Sequence, residues 1–166
     1  MQKLIARSFP YLLAALTLAP AAQAAVAEEE AEKEWQEVAL QLPEAPEPGH
    51  LLPFYDSGSQ AFALDSKSLS VAADGTVRYT LVATSRSGVK NVSYEALRCQ
   101  SYERKLYAFG RSDGGWSRSR RALWEPISAR DANRQHSVLY SDYFCEGKTV
   151  AGKTELILSR MRGSKR

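Results

Sequence analysis

Chemistry in this chain has few residues to draw on. It has two histidines, His50 and His136, and two cysteines, Cys99 and Cys145. A metal site needs three or four ligands held close together. His50 stands in a proline-rich stretch and His136 in a candidate helix, with no His-x-x-x-His or His-Glu pairing, so no metal and no cofactor is expected. Serines are plentiful, but the Gly-x-Ser-x-Gly turn that exposes a nucleophile is missing. Asp113-Gly114-Gly115 lacks the Lys and Ser that complete a phosphate loop, and reads as a turn. Glu95 and Asp142 are carboxylates that could work as acid and base on a glycan, with His136 as an alternative base. Their spacing alone does not join them. A pocket where they converge with other polar groups would mark an enzyme.

A second chemistry is recognition. From Arg98 to Arg134 the chain carries nine Lys or Arg against four acids, interleaved with Tyr102, Tyr107, Phe109, Trp116 and Trp124. Arginine among aromatics is typical of interfaces and of single-strand nucleic-acid platforms. Arg111, Trp116, Arg118, Arg120 and Arg121 cluster around a Gly-rich loop, where binding residues often sit, and are the candidate ligand-binding set. The alternative is aromatics packed into a core with the arginines merely solvated.

The cysteines take their meaning from the N-terminus. Lys3 and Arg7 precede an uncharged apolar stretch from Phe9 to Ala19. A run of about 11 residues is short of the roughly 20 that span a bilayer. Ala22-Gln23-Ala24 has the small residues a signal peptidase reads, so residues 1–24 are expected to be a signal peptide cleaved after Ala24. The segment has no cysteine for a lipid anchor, and no later run is long enough to span a membrane. The expected destination is the periplasm, where disulfides form, so Cys99 and Cys145 should be bonded to each other. Nucleic acid is a poor ligand for that compartment. An envelope protein or an anionic envelope component suits it better.

Charge divides the remaining chain. Glu28 to Glu47 holds eight Glu and one Lys, a net of −7, whereas Pro48 to Arg166 nets +8. Residues 25–49 thus form an acidic arm before a basic domain of residues 50–166. Such an arm can steer a partner or lie against its own domain.

The elements that position these residues follow from periodicity. Ala31, Trp35, Val38 and Leu42 recur at helical spacing, which predicts a helix over residues 28–42, ended by Pro43. Pro43, Pro46, Pro48 and Gly49 predict a stiff connector. Leu51 to Tyr55, with Pro53 inside, reads as an edge strand. Short strands are expected at 61–64 and 68–71, and Asp74-Gly75 is a tight turn. Residues 76–84 alternate, with Val77, Tyr79, Leu81 and Ala83 on one face and Thr76, Arg78 and Thr80 on the other. Further strands are expected over 91–100 and 104–111, a loop over 112–121, and helices over 131–144 and 154–162. The predicted fold is α+β: a single domain with an antiparallel sheet of about four to six strands, helices packed on one side, and one disulfide.

The ordered set of local signatures resembles a known family. It runs from Trp35-Gln36-Glu37 and Leu51-Leu52-Pro53-Phe54-Tyr55 through Asp74-Gly75-Thr76-Val77-Arg78-Tyr79 and Asn91-Val92-Ser93-Tyr94-Glu95. Arg98-Cys99, Lys105 to Gly110, Trp116 and Tyr143-Phe144-Cys145 complete it. The chain is similar to the cryptic neisserial protein (CNP-one-like) family of exported betaproteobacterial proteins over about residues 34–160. The resemblance implies export, a single domain and the two-cysteine pattern. It brings no catalytic or binding residues across. The expected role is a non-catalytic envelope binding module. Two other classes are a hydrolase acting on a cell-wall or carbohydrate substrate and an assembly factor that uses the acidic arm.

Overall fold

In the computed structural model, residues 35–128, 130 and 134–163 are described. The chain divides into Met1–Gln36 and Glu37–Arg166, and every element below belongs to the second unit. The expected signal peptide and the first part of the predicted arm helix lie outside the described residues.

The main sheet is antiparallel, with strands in the order β1-β2-β4-β5-β6-β7. These are β1 (Leu51–Asp56), β2 (Gln60–Asp65), β4 (Thr76–Ser85), β5 (Lys90–Arg98), β6 (Glu103–Gly110) and β7 (Trp116–Arg118). Off that path, β3 (Ser70–Val71) pairs with β4 and β8 (Trp124–Pro126) with β6. The sheet therefore has 8 strands rather than four to six. The extra ones, β7 and β8, are three residues long, too short to show a period of two in sequence. One of them, β7, lies inside the predicted loop 112–121 and pairs with Ala108, Phe109 and Gly110. A separate hairpin joins β9 (Cys145–Glu146) to β10 (Thr149–Val150).

Strand β4 is buried on both faces, as its unbroken buried run from Thr76 to Val82 shows. One face carries Val77, Tyr79 and Leu81. These pack with Phe62, Leu64 and Leu97 from neighbouring strands and with Leu139, Phe144, Ile157 and Met161 from the helices. Those helices are α1 (Arg134–Val138), which widens into a π-helical turn over Leu139–Phe144, and α2 (Thr154–Gly163). Cys99 and Cys145 are bonded, with Cα atoms 5.7 Å apart. The bond ties the end of β5 to the residue that follows the π-helical turn. Tyr140 reinforces this junction by donating its hydroxyl to the carbonyls of Cys99 and Gly147.

The opposite face of the sheet holds a smaller cluster of Tyr94, Ala96 and Tyr107. Its cover is Leu40 and Leu42, with Trp116 and Trp124 at the margin. Residues 37–47 are extended here and carry no helix. The helical spacing of Val38 and Leu42 is overridden by two things. Prolines at 43, 46 and 48 prevent a helix from continuing. Arg78 also takes the carbonyls of Val38 and Ala39, which a helix would use internally.

Candidate functional site

The outer face of the sheet is built around a buried ion pair. Asp74 sits in the turn before β4, and Arg78 lies four residues further along, on the strand, with 3.0 Å between guanidinium and carboxylate. The Asp74 carboxylate accepts from the Thr76 amide and hydroxyl and from the Val38 amide. Burial pushes its pKa up, but the Thr76 and Val38 hydrogen bonds and Arg78 outweigh that and hold it below the usual carboxylate range. Arg78 then donates to Val38 O at 2.8 Å and Ala39 O at 3.1 Å. Residues 37–47 are thus held by side chains that rise from the sheet.

Two further contacts fix this extended segment. The Glu37 carboxylate accepts from Lys105 at 2.6 Å and from the Tyr107 hydroxyl. Tyr107 reaches it because of a bulge in β6: Tyr94 opposes Ala108 and Glu95 opposes Leu106, leaving Tyr107 between them without a register partner. Burial, then the Glu37 hydrogen bond, raises the Tyr107 phenol well above its ordinary pKa. At the other end the Trp116 indole donates to Pro43 O at 2.7 Å.

The predicted binding set separates on this frame. Trp116 is committed to Pro43 and packs near Tyr94, with ring centroids 6.0 Å apart. Arg111 is ion-paired with Asp113 across the Gly-rich turn. That hydrogen-bonded pairing, with the Gly115 amide, holds the Asp113 carboxyl down to about 2. Arg118, Arg120 and Arg121 are exposed and make no ion pair with any described residue. Leu123 beside them is 59% exposed.

Of the acid–base candidates, two converge and one does not. His136 Nε2 lies 2.6 Å from Glu95 Oε2. Glu95 also accepts from Ser93 at 2.6 Å and from the Tyr79 hydroxyl at 3.2 Å. Glu95 and His136 are only 4% and 3% exposed. The remaining ring nitrogen, His136 Nδ1, is buried without a hydrogen-bond partner. Asp142 stays apart, exposed, and accepts from Ser141. His50 meets Glu47 at 3.5 Å in the turn Pro48–His50. Among the described residues no group of three or more His, Cys, Asp or Glu could hold a metal ion, and no helix is long and apolar enough to cross a membrane.

Sequence reasoning missed Asp74, Arg78, Glu37 and Lys105 as a set. The available signal was Asp74 and Arg78 flanking a tight turn, with Arg78 on the face of β4 opposite the apolar one. Glu37 was hidden within the acidic run.

These features define a small α+β domain whose antiparallel sheet is covered on one face by disulfide-anchored helices and on the other by an extended segment held by side chains. The chain belongs to the CNP1-like family, whose profile matches residues 30–162. It is 31% identical over 159 residues to cryptic neisserial protein 1 of Neisseria gonorrhoeae (strain ATCC 700825 / FA 1090), covering 81% of this chain and 75% of that protein. No solved structure matches the chain.

Proposed function

We propose that this protein is an exported, periplasmic binding module without catalytic activity, and that Arg118, Arg120 and Arg121 form its contact with an acidic envelope partner. The carrying observation is a cluster: other described cations without a carboxylate partner, such as Lys67, Arg86, Lys90 and Lys148, are spread along the sequence. Arg78, Arg98, Arg104, Lys105, Arg111 and Arg160 each face a carboxylate of the same chain. Arg118, Arg120 and Arg121 face none among the described residues, although they crowd into four positions. Mutual repulsion of such charges is relieved by an anionic surface, which they would also attract over a distance set by ionic strength. Arg111 and Trp116 support the loop and the extended segment rather than the contact. Export rests on the basic, apolar and Ala-x-Ala pattern of residues 1–24.

Capture from a periplasmic extract tests the reading. The chain and its Arg118→Ala/Arg120→Ala/Arg121→Ala variant are compared at low and high salt, with bound partners identified. A partner held by the wild type, released by salt and lost by the variant is the expected result. Equal capture by both chains removes the assignment. The second reading, a hydrolase, draws on the Glu95–His136 contact. Against it, both Glu95 oxygens are already occupied by chain groups, and the dyad is closed to solvent.

A further inference from the structure

Residues 37–47 cross the sheet without pairing as a strand. We propose that the face beneath them is a docking groove for an extended acidic peptide segment of a partner protein, filled in cis by this chain's own segment.

The manner of holding points there. Three contacts engage only the backbone of the occupant: Arg78 on the carbonyls of Val38 and Ala39, Trp116 on the carbonyl of Pro43, and Asp74 on the amide of Val38. Such contacts accept any extended chain, as strand-adding peptide sites do. Side-chain recognition is added at few points. Lys105 and Tyr107 take one carboxylate, that of Glu37. The Tyr94–Tyr107 cluster with Trp116 and Trp124 takes Leu40 and Leu42. The groove therefore reads a carboxylate followed three and five positions later by apolar residues.

The occupant is also separable. The cluster under it is distinct from the larger one that holds the disulfide and the helices. Withdrawal of residues 37–47 leaves that larger core closed. The groove walls belong to β4, β5 and β6, whose long mutual register exists without the segment. The exposed groove would be cationic and aromatic: Arg78 and Lys105 lie 5.9 and 5.4 Å from the Tyr107 ring centre, and Arg98 lies 5.5 Å from that of Trp124. An acidic, apolar-patterned peptide complements it. None of these contacts involves Arg118, Arg120 or Arg121, so this groove and the proposed arginine surface can fail independently.

The test uses the chain from Ala25 onward and a fluorescent peptide of residues 37–47, with binding read by anisotropy. A tethered occupant competes at an effective concentration on the order of millimolar, so the wild type should bind the peptide weakly. Glu37→Gln weakens the tethered copy while the peptide keeps its carboxylate. Loss of one charge-assisted hydrogen bond predicts about tenfold tighter peptide binding. Adding Lys105→Gln should abolish that gain, and a scrambled peptide should not bind. The Arg118→Ala/Arg120→Ala/Arg121→Ala chain should behave as wild type. Should Glu37→Gln fail to fold, the wild-type Val38 amide resonance gives the reading, because excess unlabelled peptide must release it from Asp74 and shift it. No saturable binding to Glu37→Gln, indifference to Lys105→Gln, or an unmoved Val38 amide resonance would overturn the proposal. A doubling of mass by light scattering without peptide would assign the groove to a second copy's segment and overturn the partner.

Discussion

Glu95 on β5 and His136 on α1, 41 residues apart, meet at 2.6 Å inside the protein. The contact joins the sheet to the helical layer at a point where both side chains are almost fully buried. Burial pushes the Glu95 carboxyl up. The charge and hydrogen bond of His136, the Ser93 hydroxyl and Arg104 push it down and prevail, so the group ionises below its ordinary 4.5. Its neighbour Tyr79 is moved the other way: burial and then Glu95 raise the phenol well above 10.0. The pair therefore reads as a polar rivet through the core.

The first prediction is an acid dependence of stability. Glu95 has a depressed pKa in the folded state, so its stabilisation is present above the unfolded value near 4.5 and is lost as pH falls through the lower folded value. Glu95→Gln should cost about 3 kcal/mol at neutral pH, as expected when one partner of a buried ion pair is removed. It should also flatten the acid limb. Thermal unfolding of both chains between pH 3 and pH 7 checks this. Acid limbs that fall in parallel would take Glu95 out of the acid sensitivity.

The disulfide closes a loop of 46 residues. Loop-closure entropy assigns it about 4 kcal/mol, largely by limiting the unfolded chain. Cys99→Ala/Cys145→Ala should lower the unfolding free energy measured in urea by that amount. Reduction of the wild type should give the same shift. A double variant as stable as the oxidised wild type would mean that the unfolded state keeps the two ends together without the bond.

Much of this architecture was legible where one face of an element repeats over several residues. Val77, Tyr79 and Leu81 announced β4 and its buried face, and Ile157 and Met161 the inward side of α2. The Cys99–Cys145 bond followed from two cysteines in a chain with an export pattern. The three-residue strands β7 and β8 left no such trace. The misreading over residues 35–42 is instructive: Trp35, Val38 and Leu42 fit a helix, but periodicity records only a face. The backbone groups of Val38 and Ala39 are claimed instead by Asp74 and Arg78, nearly 40 residues away, and no local rule contains that competition. The arginine cluster at 118–121 was visible in sequence. That Trp116 belongs to the extended segment was not, because its partner Pro43 is 73 residues distant.

Arg78 gives the third prediction. Arg78→Ala removes two hydrogen bonds from the extended segment and breaks the ion pair to the Asp74 carboxylate, whose side chain is fully covered. A loss of about 3 kcal/mol is expected from the broken buried pair. The loss should be local in its dynamics. Hydrogen exchange at the Val38 amide, which donates to Asp74 at 2.9 Å, should accelerate far more than exchange in β4 and β5. Uniform acceleration across the sheet would show that the segment and the sheet open as one unit.

The fourth prediction concerns a glycine required by packing rather than by backbone angle. Gly110 ends β6 opposite Trp116, and its neighbour on the β5 side is Val92. A Cβ at position 110 would stand 2.8 Å from Val92 Cβ and 2.9 Å from its Cγ1. Real carbon atoms do not approach so closely, and the neighbour is a branched side chain that cannot swing its Cβ away. Gly110→Ala must therefore push β6 from β5, at about 1–3 kcal/mol. The same displacement carries Trp116 with β6 and lengthens its bond to Pro43 O, loosening the end of the extended segment. Moving the space across the strands should relieve the clash. In Gly110→Ala/Val92→Gly the residual cost is that of a strand glycine and a lost apolar contact, and the double change should cost less than the two single changes added together. Urea unfolding of the four chains measures the coupling, and the Trp116 indole resonance reports whether its contact to Pro43 returns. Strict additivity would mean that β5 and β6 separate without resistance at this point. The close approach of Gly110 to Val92 would then not be what positions Trp116 beneath the segment.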